Sequence, residues 1–194
     1  MGAYSPVPFL EENLVERIMD IAVIPTLETL KRKGIDYRGV LYCGLMITPE
    51  GPKVLEYNAR FGDPETQVVL PRLETDLAEL LVGAASGSLN SVPIFSNEAA
   101  VAVVCASELY PENPRTGDLI DGLSQVQEMK GIDIFFSGVR KTSDGLVTDG
   151  GRVLTVTGMG ATLEQARKLT YEAVSQISWT GMQKRDDIAS NFDL

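Results

Sequence analysis

The chain has 194 residues, of which 44% are hydrophobic and 23% are charged, a composition typical of a globular protein with one large domain or two small ones. Its 27 acidic and 17 basic residues give a net charge of -10, which argues against a nucleic-acid-binding or anionic-membrane surface because both need a basic patch. Histidine is absent, so the commonest general base and every Ser/His or Cys/His nucleophile pair are excluded.

The sequence shows no sign of a membrane span or a secretory signal. Its apolar runs are shorter than the roughly 18 residues that a membrane helix needs, and MGAYSPVP has neither a charged region nor an apolar core. Cys43 and Cys105 lie inside apolar runs, where a thiol usually behaves as a small buried hydrophobic group. We therefore expect a cytoplasmic protein with reduced thiols, no zinc site and no contact with membranes or nucleic acids.

Periodicity in the first half of the chain predicts a helix, a hairpin and a second helix. Leu14, Ile18 and Ile21 recur at helical spacing, which predicts an amphipathic helix of roughly 20 residues that ends before Gly34 and bends at Pro25. The runs RGVLYCGLMIT and KVLEYNAR flank PEGP, and this pattern predicts a β-hairpin. The stretch TDLAELLVGAASG predicts the next helix.

Short apolar runs separated by glycines dominate the second half. They read AAVAVVCAS, DIFFSGVRK and GRVLTVTGMG, and TLEQARKLTYEAVSQI predicts a helix that follows them. The polar stretch SGSLNSVPIFSNE, which precedes these runs, is the best candidate for a linker. We therefore predict two domains, residues 1–95 and 96–194, of which the second is strand-rich with one helix packed on it.

The stretch VLEYNARFGDPETQ places polar side chains along a predicted strand. Side chains two residues apart share a face of a strand, so Glu56, Asn58 and Arg60 are predicted to point one way while Leu55 and Tyr57 point into the core. A carboxylate and an amide oxygen are hard ligands for Mg²⁺, and an arginine binds phosphoryl or carboxylate oxygens. The alternative is an amphipathic strand whose polar face only meets solvent.

Two further segments allow both a functional and a purely structural interpretation. In FGDPETQ, Asp63 is predicted to cap a helix that starts at Pro64, and this helix N-terminus either binds an anion or has no role beyond capping. In DGGRVLTVT, Arg152 follows a glycine turn, where it either faces a substrate cleft or is solvated.

The octapeptide RFGDPETQ, preceded by VLEYN, resembles the signature of the phosphoribosylamine-glycine ligases, also called glycinamide ribonucleotide synthetases, of the ATP-grasp superfamily. MGAYSP, GLMITPEGPKV, YPENPRTGDLIDGL and VTDGGRVLTVTGMG agree with the same family, so the resemblance covers nearly the whole chain. The resemblance implies an α+β fold: the C-terminal lobe of an ATP-grasp fold, an antiparallel sheet with helices, followed by a small strand-rich α+β C-terminal domain.

The resemblance implies an ADP-forming ligase of de novo purine biosynthesis, which joins glycine to 5-phosphoribosylamine through a glycyl phosphate intermediate with ATP as co-substrate. Glu56 and Asn58 would then hold Mg²⁺ or Mn²⁺ at the ATP phosphates, and Arg60 would be a catalytic residue at the transferring phosphoryl group or the substrate carboxylate. Asp63 and Glu65 would shape the substrate end of the cleft, and Arg152, where it faces the cleft, would contact the ribose phosphate or help close the substrate pocket. Many ATP-grasp enzymes carry a second metal carboxylate on the neighbouring strand, where this chain has apolar residues such as Met46, so one metal position is expected.

Enzymes of this family are about twice as long as this chain, and their N-terminal half supplies the adenine contacts and the phosphate lid. The missing N-terminal half is therefore an expected partner, and the chain alone is expected to be inactive. Two alternatives remain open. One is another ATP-grasp carboxylate-amine ligase or carboxylase, although these lack RFGDPETQ, and the other is a non-catalytic remnant that serves as a binding or assembly module.

Overall fold

The structure, a computed structural model, describes residues 1–10 and 12–190. These residues form two compact units. We call residues 7–62 and 73–95 the hairpin unit, and residues 1–6, 63–72 and 96–190 the sheet unit. The predicted combination of helices with antiparallel sheet is confirmed. The division into sequence domains at residues 95 and 96 stays a prediction.

The secondary structure elements are short. The strands are β1 (Gly2–Ser5), β2 (Tyr42–Thr48), β3 (Gly51–Asn58), β4 (Ala99–Ala106), β5 (Ile132–Phe136), β6 (Val139–Lys141), β7 (Leu146–Thr148) and β8 (Arg152–Gly160). The α-helices are α1 (Glu12–Ile18), α2 (Ile24–Arg32), α3 (Thr66–Val69), α4 (Leu77–Ser86), α5 (Leu123–Gln127) and α6 (Leu163–Val174), with a π-helical turn at Met19–Val23 and a 3₁₀ turn at Leu70–Arg72.

The first predicted helix is confirmed as one helical stretch made of α1, the π-helical turn and α2. Proline has no N–H to donate within a helix, and the irregular turn lies just before Pro25. The carbonyl of buried Ala22, inside this turn, accepts hydrogen bonds from the hydroxyls of Thr26 at 2.7 Å and Tyr57 at 2.9 Å. Tyr57 of β3 therefore ties the helical stretch to the hairpin.

Strands β2 and β3 form the predicted hairpin, but its pairing is irregular. Gly44 pairs with Glu56 while Leu45 pairs with Val54, so Leu55 lies outside the pairing as a β-bulge. The bulge breaks the strict alternation of side chains, and Leu55 is 64% exposed. The prediction that Leu55 and Tyr57 point into the core is therefore wrong, since Tyr57 is also 39% exposed. Strand β3 also ends before Arg60, which lies in a bend.

The sheet unit is built on four antiparallel strands in the order β1-β4-β8-β5. Every residue of the central strand β4 is buried because both faces of the sheet are covered. Val103 and Cys105 pack in the cluster that contains residues of α6, whereas Ala100 and Ala102 pack against Val68 of α3. The segment that follows Asp63 thus lies on one face of the sheet, and α6 contributes to the core of the other.

The two cysteines differ in their surroundings. Cys105 is buried as predicted, and its burial raises the pKa of the thiol to about 12. Cys43 is only half-buried, and neither thiol forms a disulfide. In residues 1–10 and 12–190, no helix combines the length and apolar character needed to cross a membrane.

Candidate functional site

Glu56 and Asn58 form a hydrogen-bonded pair at the end of β3. The amide nitrogen of Asn58 donates to Oε1 of Glu56 at 2.9 Å, so the two side chains share a face as their spacing predicts. Glu56 is exposed and Asn58 is half-buried. Gly44 lies opposite Glu56 on β2, where an added Cβ would come within 3.3 Å of the Glu56 side chain. The missing side chain at Gly44 therefore leaves room for the pair.

The chemistry of this pair fits a hard divalent cation. The hydrogen bond uses the nitrogen of the Asn58 amide, whose oxygen is the atom that Mg²⁺ binds. Mg²⁺ usually takes one or two protein ligands and completes its shell with phosphate oxygens and water. Within the described residues there is no group of three or more His, Cys, Asp or Glu side chains able to hold a metal alone. The pair therefore suits a cation that arrives with a phosphate-bearing ligand.

Arg60 lies beyond the end of β3, so it does not share a strand face with Glu56 and Asn58. Because β3 ends at Asn58, the alternation of a strand does not extend to Arg60. Its guanidinium donates from Nη1 to the carbonyl of Phe61 at 2.9 Å, and the side chain is exposed. Among the described residues, no hydrogen bond joins Arg60 to Glu56 or Asn58. A catalytic role for Arg60 stays a prediction.

In the sheet unit, Arg152 forms hydrogen bonds with the turn that carries Asp63. Nη1 of Arg152 donates to the carboxylate of Asp63 at 2.9 Å and to its backbone carbonyl at 2.7 Å. Nε of Arg152 donates to the hydroxyl of Tyr110 at 3.1 Å. The hydrogen bond with Tyr110 and then that with Asp63 raise the pKa of the Arg152 guanidinium, so this group stays charged. The structure thus pairs two residues that are 89 positions apart in the sequence.

Tyr110, which contacts Arg152, was not predicted as a site residue from the sequence. Its ring lies against Gly151, where an added Cβ would come within 2.3 Å of a ring carbon, so only glycine fits at that position. The carbonyls of the same glycine turn, at Gly150 and Gly151, accept from the side chain and backbone N–H of Ser107 at 2.7 and 2.9 Å. The only sequence signal was the presence of Tyr110 in the family-like stretch YPENPRTGD.

The helix after Asp63 begins later than predicted. A turn covers Asp63 and Pro64, and α3 starts at Thr66 with Glu65 as its N-cap residue. The carboxylate of Asp63 accepts from the side-chain amide of Gln67 at 3.1 Å, and the N-cap position of α3 is Glu65 and not Asp63. The prediction of an Asp63 cap is therefore wrong. With four residues, α3 is too short to provide the anion site of a helix N-terminus.

The turn is also anchored to the sheet through Gln67. The hydroxyl of Thr157 on β8 donates to the Gln67 carbonyl at 2.9 Å. The side-chain oxygen of Gln67 is buried and has no hydrogen-bond partner within the described residues. Glu65 is half-buried at the start of α3. Asp63, Gln67 and Arg152 therefore form one connected network, and the role of Glu65 stays a prediction.

Solved structures place this chain in a fold class. It is similar to the biotin carboxylase subunit of pyruvate carboxylase, with a TM-score of 0.67 and 15% identity over 98% of this chain and 42% of that chain. It is also similar to N5-carboxyaminoimidazole ribonucleotide synthetase from Thermotoga maritima, with a TM-score of 0.62 and 16% identity over 92% of this chain and 45% of that chain. At these identities the likeness concerns the fold alone. The class is given by a family model, since residues 1–66 match an ATP-grasp domain.

The family follows from two matches to family models of one enzyme. Residues 1–66 match the ATP-grasp (A) domain of phosphoribosylglycinamide synthetase, and residues 100–191 match its C domain. The chain belongs to the phosphoribosylglycinamide synthetase family, which confirms the resemblance of RFGDPETQ.

Curated relatives that match nearly the whole of this chain share one name. A phosphoribosylamine--glycine ligase from Streptomyces coelicolor is 49% identical over 98% of this chain and 47% of the relative. One from Leifsonia xyli is 46% identical over 98% of this chain and 46% of the relative. The crystal structure of one from Thermotoga maritima gives a TM-score of 0.81 and 34% identity, over 97% of this chain and 46% of that chain. The chain spans about half the length of the curated relatives it matches.

Proposed function

We propose that this chain is the metal-binding and C-terminal part of an ADP-forming ligase that joins glycine to 5-phosphoribosylamine in de novo purine biosynthesis. The observation that carries the proposal is the 49% identity, over 98% of this chain, to a relative named phosphoribosylamine--glycine ligase. Its substrates would be ATP, glycine and 5-phosphoribosylamine, and its place of action the cytoplasm. Because the chain spans about half of such relatives, we propose that it does not ligate by itself.

The reaction needs positioning and charge neutralisation more than it needs a strong base. A carboxylate is a poor electrophile, so transfer of the γ-phosphoryl group of ATP to glycine creates an acyl phosphate with a good leaving group. The amine of 5-phosphoribosylamine then attacks the acyl carbon, and phosphate leaves. Both steps move negative charge between oxygens, which cations and fixed donors stabilise. A chain without histidine is suited to such chemistry.

Each residue has a proposed part in this scheme. Glu56 and Asn58 would hold the divalent cation, Mg²⁺ or Mn²⁺, which would neutralise charge on the ATP phosphates. Arg60 would contact the transferring phosphoryl group or the glycine carboxylate. Asp63 and Glu65 would bind substrate. The contacts of Arg152 with Asp63 support a part in orienting Asp63 in addition to the contact with ribose phosphate that the resemblance implies.

Titration of the purified chain with Mn²⁺ and with MgATP tests the metal site. We expect Glu56→Gln to weaken binding by about tenfold or more, since it removes the charged ligand. Glu50→Gln is a matched control, because Glu50 lies at the turn of the same hairpin, where its carboxylate accepts a hydrogen bond from the Thr48 hydroxyl at 2.9 Å. Equal binding by wild type and Glu56→Gln would contradict the metal site. Release of ADP from MgATP by the chain alone, dependent on glycine and 5-phosphoribosylamine, would contradict its proposed inactivity.

A further inference from the structure

A third side chain, that of Tyr42 on β2, lies on the same face of the hairpin as Glu56 and Asn58. Tyr42 is opposite Asn58 in the antiparallel ladder, and Gly44 is opposite Glu56. Side chains of directly opposite residues share a face of the sheet. The bulge at Leu55 lies beyond these two residue pairs, so the alternation of side chains is intact where they stand. One face of the hairpin therefore carries a carboxylate, an amide and a phenol ring.

The gap at Gly44 brings the tyrosine ring close to the glutamate. An added Cβ at Gly44 would lie 3.3 Å from Cγ of Glu56 and 3.6 Å from Cε1 of Tyr42. The two side chains therefore lean over the same gap from two directions. They are diagonal neighbours across the strands, a separation that aromatic and long side chains can bridge. The amide of Asn58 also donates to Oε1 of Glu56 at 2.9 Å, so Glu56 has one neighbour at its stem and another at its carboxylate.

Such neighbours matter because a glutamate side chain is flexible. A cation that binds the carboxylate has to stop the rotation of the side chain, and this lost freedom weakens binding. Glu56 is exposed, whereas Tyr42 and Asn58 are half-buried. Neighbours that are themselves held in place restrict the ligand before the cation arrives, and such preorganisation strengthens binding.

The other tyrosine of the hairpin has a different position. Tyr57 is opposite Cys43, so it lies on the face away from Glu56 and Tyr42. Its hydroxyl donates to the carbonyl of Ala22 in the helical stretch at 2.9 Å. The hairpin thus provides two tyrosines for comparison, one on each face.

We propose that Tyr42 is a positioning residue for the cation site: its ring restricts the Glu56 side chain and holds the carboxylate where a divalent cation can bind it. The ring carries this role because Cε1, a ring carbon, is the Tyr42 atom that meets the gap at Gly44. The inference rests on the metal site of the proposed function and goes beyond it, since Tyr42 acts through Glu56 and does not itself bind the cation.

The first test measures the motion of Glu56 in the metal-free chain. Tyr42→Leu removes the ring and keeps an apolar side chain, and we expect carbon-13 relaxation of the Glu56 Cγ group to show greater mobility. Tyr42→Phe keeps the ring, so the mobility of Glu56 should stay as in wild type. Tyr57→Leu is the matched control, because it makes the same replacement on the other face. Far-UV circular dichroism checks folding, and Tyr42→Val, which keeps a high strand propensity, is a second variant without the ring.

The second test measures binding of Mn²⁺ alone by electron paramagnetic resonance. We expect Tyr42→Leu to weaken binding by about threefold to tenfold, because more side-chain freedom is lost when the cation binds. Tyr42→Phe and Tyr57→Leu should bind within about twofold of wild type. A role of Tyr42 in holding the hairpin alone would not link the ring to both the mobility of Glu56 and the affinity for Mn²⁺.

The outcomes separate this inference from the proposed function. Equal mobility of Glu56 in wild type and Tyr42→Leu would overturn the inference, whatever the result with Mn²⁺. Equal effects of Tyr42→Leu and Tyr57→Leu would also overturn it, since they would reflect a general loosening of the hairpin. A Tyr42→Phe variant as mobile at Glu56 as Tyr42→Leu would exclude the ring. If wild type does not bind Mn²⁺ although Tyr42→Leu frees Glu56, the metal site of the proposed function is wrong, and only the restriction of Glu56 by Tyr42 stands.

Discussion

Arg152 shows how one side chain can organise a segment that is distant in sequence. Its planar guanidinium supplies donors in fixed directions, and three of its hydrogen bonds reach Asp63 and Tyr110. One of them ends on the backbone carbonyl of Asp63, so the contact fixes the path of the turn as well as its carboxylate. Arg152 therefore fixes the shape of the turn that carries Asp63.

Replacement of Arg152 tests this interpretation. We expect Arg152→Ala to lower the free energy of unfolding by about 1 kcal/mol, since charge-assisted hydrogen bonds are lost from a partly exposed site. Arg152→Lys should recover only part of this loss, because an ammonium group cannot reproduce the fork of donors. Urea denaturation measures both variants. Arg140→Ala breaks the more exposed ion pair with Asp149 at 3.3 Å, and it should lower the free energy of unfolding by less than about half as much as Arg152→Ala does. An equal decrease in both variants would contradict the role of Arg152 in holding the turn.

The buried thiol of Cys105 is expected to make the free energy of unfolding fall at alkaline pH. The pKa of its buried thiol is raised from 9.0 to about 12, so the folded chain keeps the proton longer than the unfolded chain does. The contribution of this thiol is constant below about pH 9, and above it the free energy of unfolding falls by up to about 1.4 kcal/mol per pH unit. Comparison of wild type with Cys105→Ala in urea at pH 8 and pH 10 isolates the effect. The free energy of unfolding should fall less between pH 8 and pH 10 in Cys105→Ala than in wild type, and Cys43→Ala is the control. Equal decreases in wild type and Cys105→Ala would contradict the prediction.

At the scale of elements, α6 is joined to the sheet by a close approach and a buried hydroxyl. An added Cβ at Gly158 of β8 would come within 2.6 Å of the Thr170 hydroxyl and 2.8 Å of the Ala166 carbonyl, so glycine lets the helix and strand meet. The Thr170 hydroxyl accepts from the Gly158 N–H at 3.0 Å and has the carbonyls of Val101 and Ala166 within 2.9 Å. One buried side chain therefore connects α6, β4 and β8.

Thr170→Val keeps the shape of the side chain and removes this hydroxyl. We expect a loss of about 1–3 kcal/mol in the free energy of unfolding, because buried backbone groups lose a partner. Thr180→Val is the control, since Thr180 is exposed in the same unit and should change stability by less than about 0.5 kcal/mol. Thermal unfolding followed by circular dichroism compares them. A Thr170→Val variant as stable as wild type would show that the hydroxyl has no net contribution.

At the scale of the whole molecule, burial is distributed unequally between the two units. The sheet unit contains nearly all of the buried hydrophobic residues, whereas the hairpin unit contains Ala22 alone among the described residues. Regions with few buried contacts open locally at a lower free energy than the core does. The hairpin unit is therefore expected to open before the sheet unit unfolds.

Hydrogen exchange measures this difference directly. Backbone amides of β4 and β8 are expected to exchange slowest, at rates set by global unfolding. Amides of β2 and β3 should exchange faster, with opening free energies lower by about 2 kcal/mol or more. Uniform protection across both units would contradict the prediction, because it would mean that the chain unfolds as one cooperative body.

Local patterns in the sequence were sufficient for much of the fold. Helical spacing predicted the stretch from α1 to α2, and the glycine-separated runs predicted β4, β5, β6 and β8 of the sheet unit, but not β1 or β7. The spacing of Glu56 and Asn58 predicted their shared face, which their hydrogen bond confirms. The pattern failed at Leu55 and Arg60, because a bulge and an early strand end interrupt the alternation on which it depends.

Residue identity and local periodicity were enough to give the lack of histidine, the main elements and the family. The folded chain was needed to show that Arg152 contacts both Asp63 and Tyr110, that Val68 covers β4, and that the hairpin unit lacks a core of its own. These features depend on contacts between residues far apart in the chain. No local pattern encodes such contacts, because they arise only when strands pair and their faces are covered.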